Sequence, residues 1–366
     1  MKELSYEEIE AATQNFDPSQ LIGKGSHGSV YRGTLRDGRI VAVKKPSGGI
    51  QSLQNHAKLN NEIDVLASLS DPPISIVKFV GFTRAPASRL LVMEFLPNGS
   101  LHALIHSSPT PPEWRLRGAI ALQIARAILY LHEASPASVI HRDVKSANVL
   151  LDGKWNAKLC DFGLAARPDN DDELSETPLP AGTIGYMDPC YTEPGKLGPE
   201  NDVFSFGVVL LELLSSRKVM DVERDPSSIV AWVLGMVTAN RSGGICDERV
   251  ALPEYMRRAV GRMLRVAVKC VSEKAERRPA MREVVGDLEA VVEGLAVWPV
   301  WAAWGCVRSK VSERMQGCVR AWRRCAEKRV GAATTARIVC GDRLVDGGDH
   351  DSRDDDYERG SRNGHE

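Results

Sequence analysis

No stretch of this 366-residue chain holds about 18 consecutive apolar residues, the minimum for a membrane-crossing helix. The longest apolar runs, near residues 208–214 and 291–304, are broken by Glu, Gly or Pro. The N-terminus, MKELSYEEIE, is polar and acidic, so it lacks the basic start and apolar stretch of a secretory signal. Lys2 excludes the N-myristoylation pattern. These absences predict a soluble cytoplasmic chain, attached at most peripherally to the plasma membrane. Neither sign of charge dominates: 47 Lys and Arg against 48 Asp and Glu leave a net charge of -1, so no general attraction to nucleic acid is expected. The eight cysteines form no CxxC pair and no dense framework, which argues against a zinc cluster or disulfide scaffold and fits reduced thiols. What is present is a 43% hydrophobic content, enough for a substantial core and too high for a mostly disordered chain.

Residues 1–15 read as a short flanking helix before Asn15-Phe16-Asp17-Pro18. Strand-like runs follow at 21–22, 29–34 and 39–44, the last two joined by the hairpin signal Asp37-Gly38. Ile63, Leu66 and Leu69 give residues 55–69 a helical pattern, and strands are predicted at 76–82 and 90–95. After Pro97-Asn98-Gly99 the chain turns mostly helical, with strongly apolar helices at 116–132 and 203–214 and more over 226–292. The fold class is therefore α+β: a small β-rich lobe over 16–96 and a larger helical lobe over 97–292. From about residue 297 the composition changes. Residues 293–341 form a basic extension rich in Trp and Cys, and 342–366 have almost nothing to bury, so disorder is expected there.

Gly23, Gly25 and Gly28 space a Gly-rich loop between two strand candidates. Glycines let backbone N–H groups approach a phosphate closely, although a plain Gly-rich hairpin has the same composition. A dinucleotide-binding loop requires a helix next, and here Val30-Tyr31-Arg32-Gly33 continues as strand. Lys44 ends the apolar run Val41-Ala42-Val43, a costly place for a charge unless it is paired; Glu62 on the following helix is the expected partner. His141-Arg142-Asp143-Val144-Lys145-Ser146-Ala147-Asn148 sets a carboxylate, an ammonium and an amide in one short loop. That set can orient a hydroxyl, neutralise a transferring phosphoryl group and hold a metal. Asp161-Phe162-Gly163 follows, and a hard carboxylate suits Mg²⁺.

In this order the four motifs resemble the signature set of eukaryotic protein kinases, over roughly residues 16–290. Leu4-Ser5-Tyr6-Glu7-Glu8-Ile9, Gly182-Thr183-Ile184-Gly185-Tyr186-Met187-Asp188-Pro189 and Asp202-Val203-Phe204-Ser205-Phe206-Gly207 resemble the plant receptor-like cytoplasmic kinases of the Pelle/interleukin-receptor-associated-kinase-like group, the Crinkly-related kind among them. The resemblance implies a bilobal kinase fold that moves phosphate from ATP, with Mg²⁺ (or Mn²⁺), onto Ser or Thr of protein substrates and of itself. Asp143 is then the base that orients the hydroxyl, Lys145 touches the γ-phosphate, and Asn148 and Asp161 bind the metal. Lys145 in its place resembles Ser/Thr rather than Tyr kinases. Lys44 holds phosphates and pairs with Glu62. Ile22, Gly23, Gly25, Gly28, Val30, Ala42, Met93, Glu94, Leu96 and Leu150 are expected to line the ATP site, with Met93 at the back and the main chain of Glu94 and Leu96 facing adenine. Leu66, Phe79, His141 and Phe162 are expected to stack as an apolar spine between the lobes, a reading that overlaps with ordinary core packing.

Arg142 before Asp143 implies activation by phosphorylation of the following loop. Ser175 and Thr177 are the expected phosphosites, and Thr183 is expected to face Lys145 and Asp143. The acidic run of Asp169, Asp171, Asp172 and Glu173 fits either a phosphate mimic or a solvated face. One departure stands out: where the family carries Glu after Pro189, this chain has Cys190, so Arg278 lacks its usual partner and either finds another acceptor or leaves this region looser. Cys190→Glu is therefore expected to stabilise the domain. In residues 300–330, Val300, Trp304, Val307, Val311, Met315, Cys318 and Trp322 form an apolar stripe among many Arg and Lys. This suits an anionic membrane surface or a calmodulin-like groove, or a helix packed back on the large lobe. A membrane receptor kinase is the upstream partner that the resemblance implies. The rival reading is a pseudokinase scaffold that works through this basic extension.

Overall fold

The computed structural model describes residues 3–25, 28–48, 52–83, 89–134, 138–167, 179–191 and 197–296. Ser175, Thr177, the acidic run and the basic extension beyond 296 lie outside these residues. The first lobe is built on a six-stranded sheet. Its strands are β1 (Glu3–Leu4), β2 (Leu21–Lys24), β3 (Gly28–Thr34), β4 (Ile40–Pro46), β5 (Phe79–Thr83) and β6 (Leu91–Glu94), in the spatial order β1-β5-β6-β4-β3-β2. The β3–β4 hairpin turns through Gly38, whose φ of 82° suits a residue without Cβ.

The N-terminal flank differs from the helix expected over residues 1–15. Glu3–Leu4 pairs in parallel with β5, and helix α1 (Tyr6–Ala12) starts only at Ser5, whose hydroxyl accepts the Glu8 N–H at 3.1 Å. Leu4 and Ile9 are buried with Val41, Val43, Leu90 and Val92. The segment thus covers the outer face of the sheet and belongs to the lobe's own core. Its burial explains why β4 reads as continuously apolar rather than alternating. On the other face lies α2 (Ser52–Ser68), which buries Leu59, Glu62, Ile63 and Leu66.

The second lobe contains α3 (Leu101–His106), α4 (Trp114–Leu129), the two-stranded β7 (Val149–Leu151) and β8 (Ala157–Leu159), then α5 (Pro199–Ser215), α6 (Ile229–Thr238), α7 (Glu254–Cys270) and α8 (Met281–Ala296). The helix expected over 116–132 begins at Trp114 and passes into a single wider turn over Tyr130–Ala134. Helix α5 is buried from Asn201 to Leu214, with Pro199 in its first turn. A Cβ on Gly207 would meet Cys270 Cβ at 2.7 Å, so glycine is what lets α5 press against α7. Helix α8 runs through the boundary expected at 292. Leu295 is buried, and a Cβ on Gly118 of α4 would meet its Cδ1 at 2.5 Å. That contact holds the last turn in the core. Among the described residues no helix is long and apolar enough to cross a membrane.

Candidate active site

Lys44 projects from β4, opposite Val30 in the β3–β4 register. Its ammonium lies 2.6 Å from Glu62 Oε2 and 2.8 Å from Asp161 Oδ1. One side chain therefore ties the sheet, helix α2 and the loop after β8 together. Burial by itself would lower the Lys44 pKa, but the Glu62 and Asp161 carboxylates outweigh it and raise it. Burial likewise pushes the Asp161 carboxyl up, and the Lys44 ammonium overcomes this and brings it to about 2. Asp161 is consequently ionised at any physiological pH, which a hard-cation ligand needs.

A second cluster joins the loop from His141 to Asn148 with Thr183. Lys145 Nζ donates to Asp143 Oδ2 at 2.7 Å and to Thr183 Oγ1 at 2.8 Å, while the Thr183 hydroxyl donates to Asp143 Oδ1 at 2.6 Å. The Asn148 amide donates from Nδ2 to the Asp143 carbonyl and to Asp143 Oδ2, both at 2.9 Å. Its Oδ1 is thereby the atom left to act as a ligand. Asn148 is linked to the loop bearing Asp161 through the Cys160 N–H, which donates to the Asn148 carbonyl at 2.9 Å. The structure thus gathers Lys44, Glu62 and Asp161 into one group and Asp143, Lys145, Asn148 and Thr183 into another.

The nucleotide-facing positions expected from sequence fall on β2, β3, β4, β6 and β7, except Gly25 and Leu96, which lie just past the ends of β2 and β6. Gly25 N–H donates to the Gly28 carbonyl at 2.9 Å, which closes the turn of the Gly-rich loop. Ala42 pairs with Met93 across β4 and β6, and both are buried. The Glu94 N–H donates to the Lys78 carbonyl at 3.0 Å, so that N–H is already taken. The Glu94 side chain points elsewhere: Oε1 accepts from the Lys78 N–H at 2.7 Å and from Lys158 Nζ at 2.8 Å. Leu96 is buried, Leu150 and Val30 are half-buried, and Ile22 is exposed. The His141 and Phe162 rings meet edge-to-face at 4.8 Å, as the spine reading expects.

Three supporting groups escaped sequence reasoning. Asn61, beside Glu62 on α2, donates from Nδ2 to the carbonyls of Phe162, Gly163 and Ala165 at 3.1, 3.3 and 2.9 Å. Asp202, wholly buried on α5, accepts the N–H groups of His141 and Arg142 at 2.8 and 2.9 Å and also contacts His132 Nε2 at 3.0 Å. Burial would raise the Asp202 carboxyl's pKa, and the His132 hydrogen bond and charge lower it on balance. These bonds hold Arg142 at a φ of 67°, a left-handed conformation that costs energy in a residue with a Cβ. Glu212 on α5 accepts from Tyr186 and Ser146. Asp202 and Glu212 did carry a signal, as charged residues within the apolar α5, and Asp202 also opens the Asp202–Gly207 run noted above; Asn61 carried none, because α2 is itself rich in polar residues.

Of the two outcomes expected for the missing Glu, the structure shows another acceptor for Arg278. Arg278 has found Asp188, two positions before Cys190. Both amino groups of Arg278 bond the Asp188 carboxylate, its Nε donates to the Ser272 carbonyl at 2.9 Å, and neither side chain of the pair is exposed. Cys190 Sγ instead lies 2.9 Å from the Glu273 carbonyl. Contrary to the sequence-based expectation, Cys190→Glu should therefore not stabilise the domain: no unpaired guanidinium awaits the new carboxylate.

Residues 16–287 match the family described as the protein kinase domain. The chain is 43% identical over 319 residues to a serine/threonine-protein kinase-like protein of Arabidopsis thaliana, covering 82% of this chain and 91% of the relative. A second such protein from the same organism is 42% identical over 303 residues, 81% of either chain. A proline-rich receptor-like protein kinase of Arabidopsis thaliana is 38% identical over 296 residues, 79% of this chain but 44% of that relative.

Proposed function

The chain belongs to the protein kinase family, in its plant receptor-like branch, and is an ATP-dependent serine/threonine protein kinase; from this we propose that it transfers the γ-phosphate of Mg-ATP to Ser and Thr of other proteins and of itself through the residues assembled above. The observation that carries this reading is the double contact of Lys44 with Glu62 and Asp161. Phosphotransfer needs both the Lys–Glu pair and the metal-binding Asp in place, and a scaffold without catalysis has no need of that alignment. Asp161 and Asn148 Oδ1 would hold the divalent metal, Mg²⁺ or Mn²⁺; the donor set of carboxylate and amide oxygens suits either hard cation. When bound, the metal neutralises charge on the transferring phosphoryl group.

In this reading Asp143 receives the proton of the acceptor hydroxyl. Thr183 Oγ1, which now bonds both Asp143 and Lys145, marks the environment that a substrate hydroxyl would enter. Lys145 stands close enough to Asp143 to meet negative charge as it moves to the acceptor oxygen. Lys44 holds phosphate oxygens while Glu62 fixes its position. Val30, Ala42 and Leu150 enclose the adenine, and phosphorylation of Ser175 or Thr177 would order the loop through Arg142.

The names of the receptor-like relatives suggest, for this chain, coupling to a membrane receptor kinase. The basic extension over 293–341 is proposed to bind an anionic membrane surface or a calmodulin-like partner; equal liposome flotation of residues 1–296 and the full chain would remove the membrane version. The enzymatic reading is tested with purified protein, labelled ATP, Mg²⁺ and a basic protein substrate, beside Asp143→Ala. Incorporation by the wild type alone is expected. Intact ATP binding with no incorporation under any activating condition would overturn it.

A further inference from the structure

Glu212 lies wholly inside the large lobe, yet among the described residues no Lys or Arg pairs with its carboxylate. Three other buried acids do have such partners: Asp188 faces Arg278, Asp247 faces Arg117 and Glu62 faces Lys44; Asp202 lacks one too, but it accepts two backbone N–H groups besides His132. Glu212 meets only two hydroxyls and an imidazole. Tyr186 Oη donates to Oε2 at 2.7 Å, Ser146 Oγ donates to Oε1 at 3.0 Å, and His106 Nε2 is 2.9 Å from Oε1. A buried carboxylate without a fixed cation is costly. It leaves a charge that a metal ion can answer.

The other donors of such a site are already in place. His102 and His106 are four residues apart on α3, so their rings share one face of the helix, with centroids 4.6 Å apart. One ligand atom from each of His102, His106 and Glu212 lies within 4.8 Å of the other two. We infer that these three residues form a binding site for a divalent transition-metal ion, Zn²⁺ above all. Two imidazole nitrogens and one carboxylate oxygen suit Zn²⁺ and leave a fourth position for water. Mg²⁺ prefers an all-oxygen set, which separates this site from the nucleotide metal.

The geometry asks for little movement. Ligand atoms around a tetrahedral Zn²⁺ stand roughly 3.3 Å apart, given bonds of about 2.0–2.1 Å. His106 and Glu212 are already that close. His102 is exposed, so its ring can swing inward, giving up its 3.3 Å contact between Nδ1 and Ser146 Oγ. Partial burial and the neighbouring His106 lower the His102 pKa, which favours the neutral ring that a metal needs. On binding, the ion would replace the hydrogen bond between His106 Nε2 and Glu212 Oε1, with the His106 ring coordinating as its neutral Nδ1–H tautomer. Tyr186 keeps its bond to the second carboxylate oxygen and orients it. Lys218, whose charge reaches His102, opposes the ion and sets a limit on affinity.

The ion would brace α3 against α5 beneath the catalytic loop, since Ser146 adjoins Lys145. The inference uses no residue of the nucleotide site, so it stands or falls apart from the phosphotransfer reading. The test takes the full chain, stripped with chelator, and titrates it with Zn²⁺ against a chromogenic competitor. Co²⁺ absorption on the same protein reports the ligand set. His102→Gln, at an exposed position, is expected to lose one metal equivalent or to weaken one site at least tenfold. His106→Gln, which keeps an amide donor toward Glu212, should do the same. Wild type should show visible Co²⁺ bands of a four-coordinate N/O site that vanish in both variants, without the thiolate bands that cysteine ligation elsewhere would give. Equal stoichiometry and affinity in wild type and in folded His102→Gln protein would overturn the proposal.

Discussion

The guanidinium of Arg278 grips both oxygens of the Asp188 carboxylate, and neither side chain reaches solvent. A buried pair of this kind adds modest net stability, but removing one partner strands the other. Asp188→Ala is therefore expected to lower unfolding stability by about 3–5 kcal/mol, read from urea denaturation. Cys190→Glu should leave stability unchanged or reduce it, because the new carboxylate would stand beside Asp188. A clear rise in melting temperature for Cys190→Glu would contradict this assignment of the ion pair.

Asn61 supports the loop carrying Asp161 through three carbonyls. Asn61→Leu keeps side-chain bulk and removes the donor. With about 1–2 kcal/mol of positioning lost, kcat/KM should fall on the order of tenfold, while the far-ultraviolet circular dichroism stays that of wild type. Unaltered kinetics would mean that Lys44 alone is enough to hold the loop.

The hydroxyl of Thr183 bridges Asp143 and Lys145. Hydrogen bonds to charged groups contribute about 1.5–3 kcal/mol. Thr183→Val should thus reduce phosphotransfer at least tenfold, and Thr183→Ser, which keeps the oxygen, should stay within a few-fold of wild type. Matching losses in the two variants would point to the methyl group rather than the hydroxyl.

Acid stability should carry the imprint of Asp161. Its folded pKa of about 2 lies below the ordinary value of 3.8. A depressed carboxyl contributes stability that is fully present above the ordinary value and is lost as pH falls toward the folded one. The loss should run from about pH 4 down to about pH 2. Urea midpoints measured across that window should fall less steeply for Asp161→Asn than for wild type. Parallel curves would argue against the shift.

Much of this arrangement could be read from the chain alone. The Gly-rich loop, Lys44, the loop from His141 to Asn148 and Asp161-Phe162-Gly163 are short runs whose chemistry is local, so their residue types and order suffice. The α+β division was also legible, because period-two and longer helical patterns change near Pro97. The N-terminal strand was not: Glu3–Leu4 is two residues long, and its pairing with β5 depends on contacts nearly eighty residues away. The end of α8 was hidden for the same reason, since Leu295 is fixed by Gly118 on another helix.

What the sequence by itself determined is the set of reacting groups, because a carboxylate, an ammonium and an amide in one loop define their own chemistry. What only the tertiary structure decided is which charges answer one another. Arg278 lacks the expected glutamate in sequence and finds Asp188 in space, Asn61 and Asp202 meet backbone groups from distant loops, and Glu212 is brought to His106, Ser146 and Tyr186 only by the packing of α5. Pairing of buried charges is set by distance and solvent exclusion, and neither quantity is written along the chain.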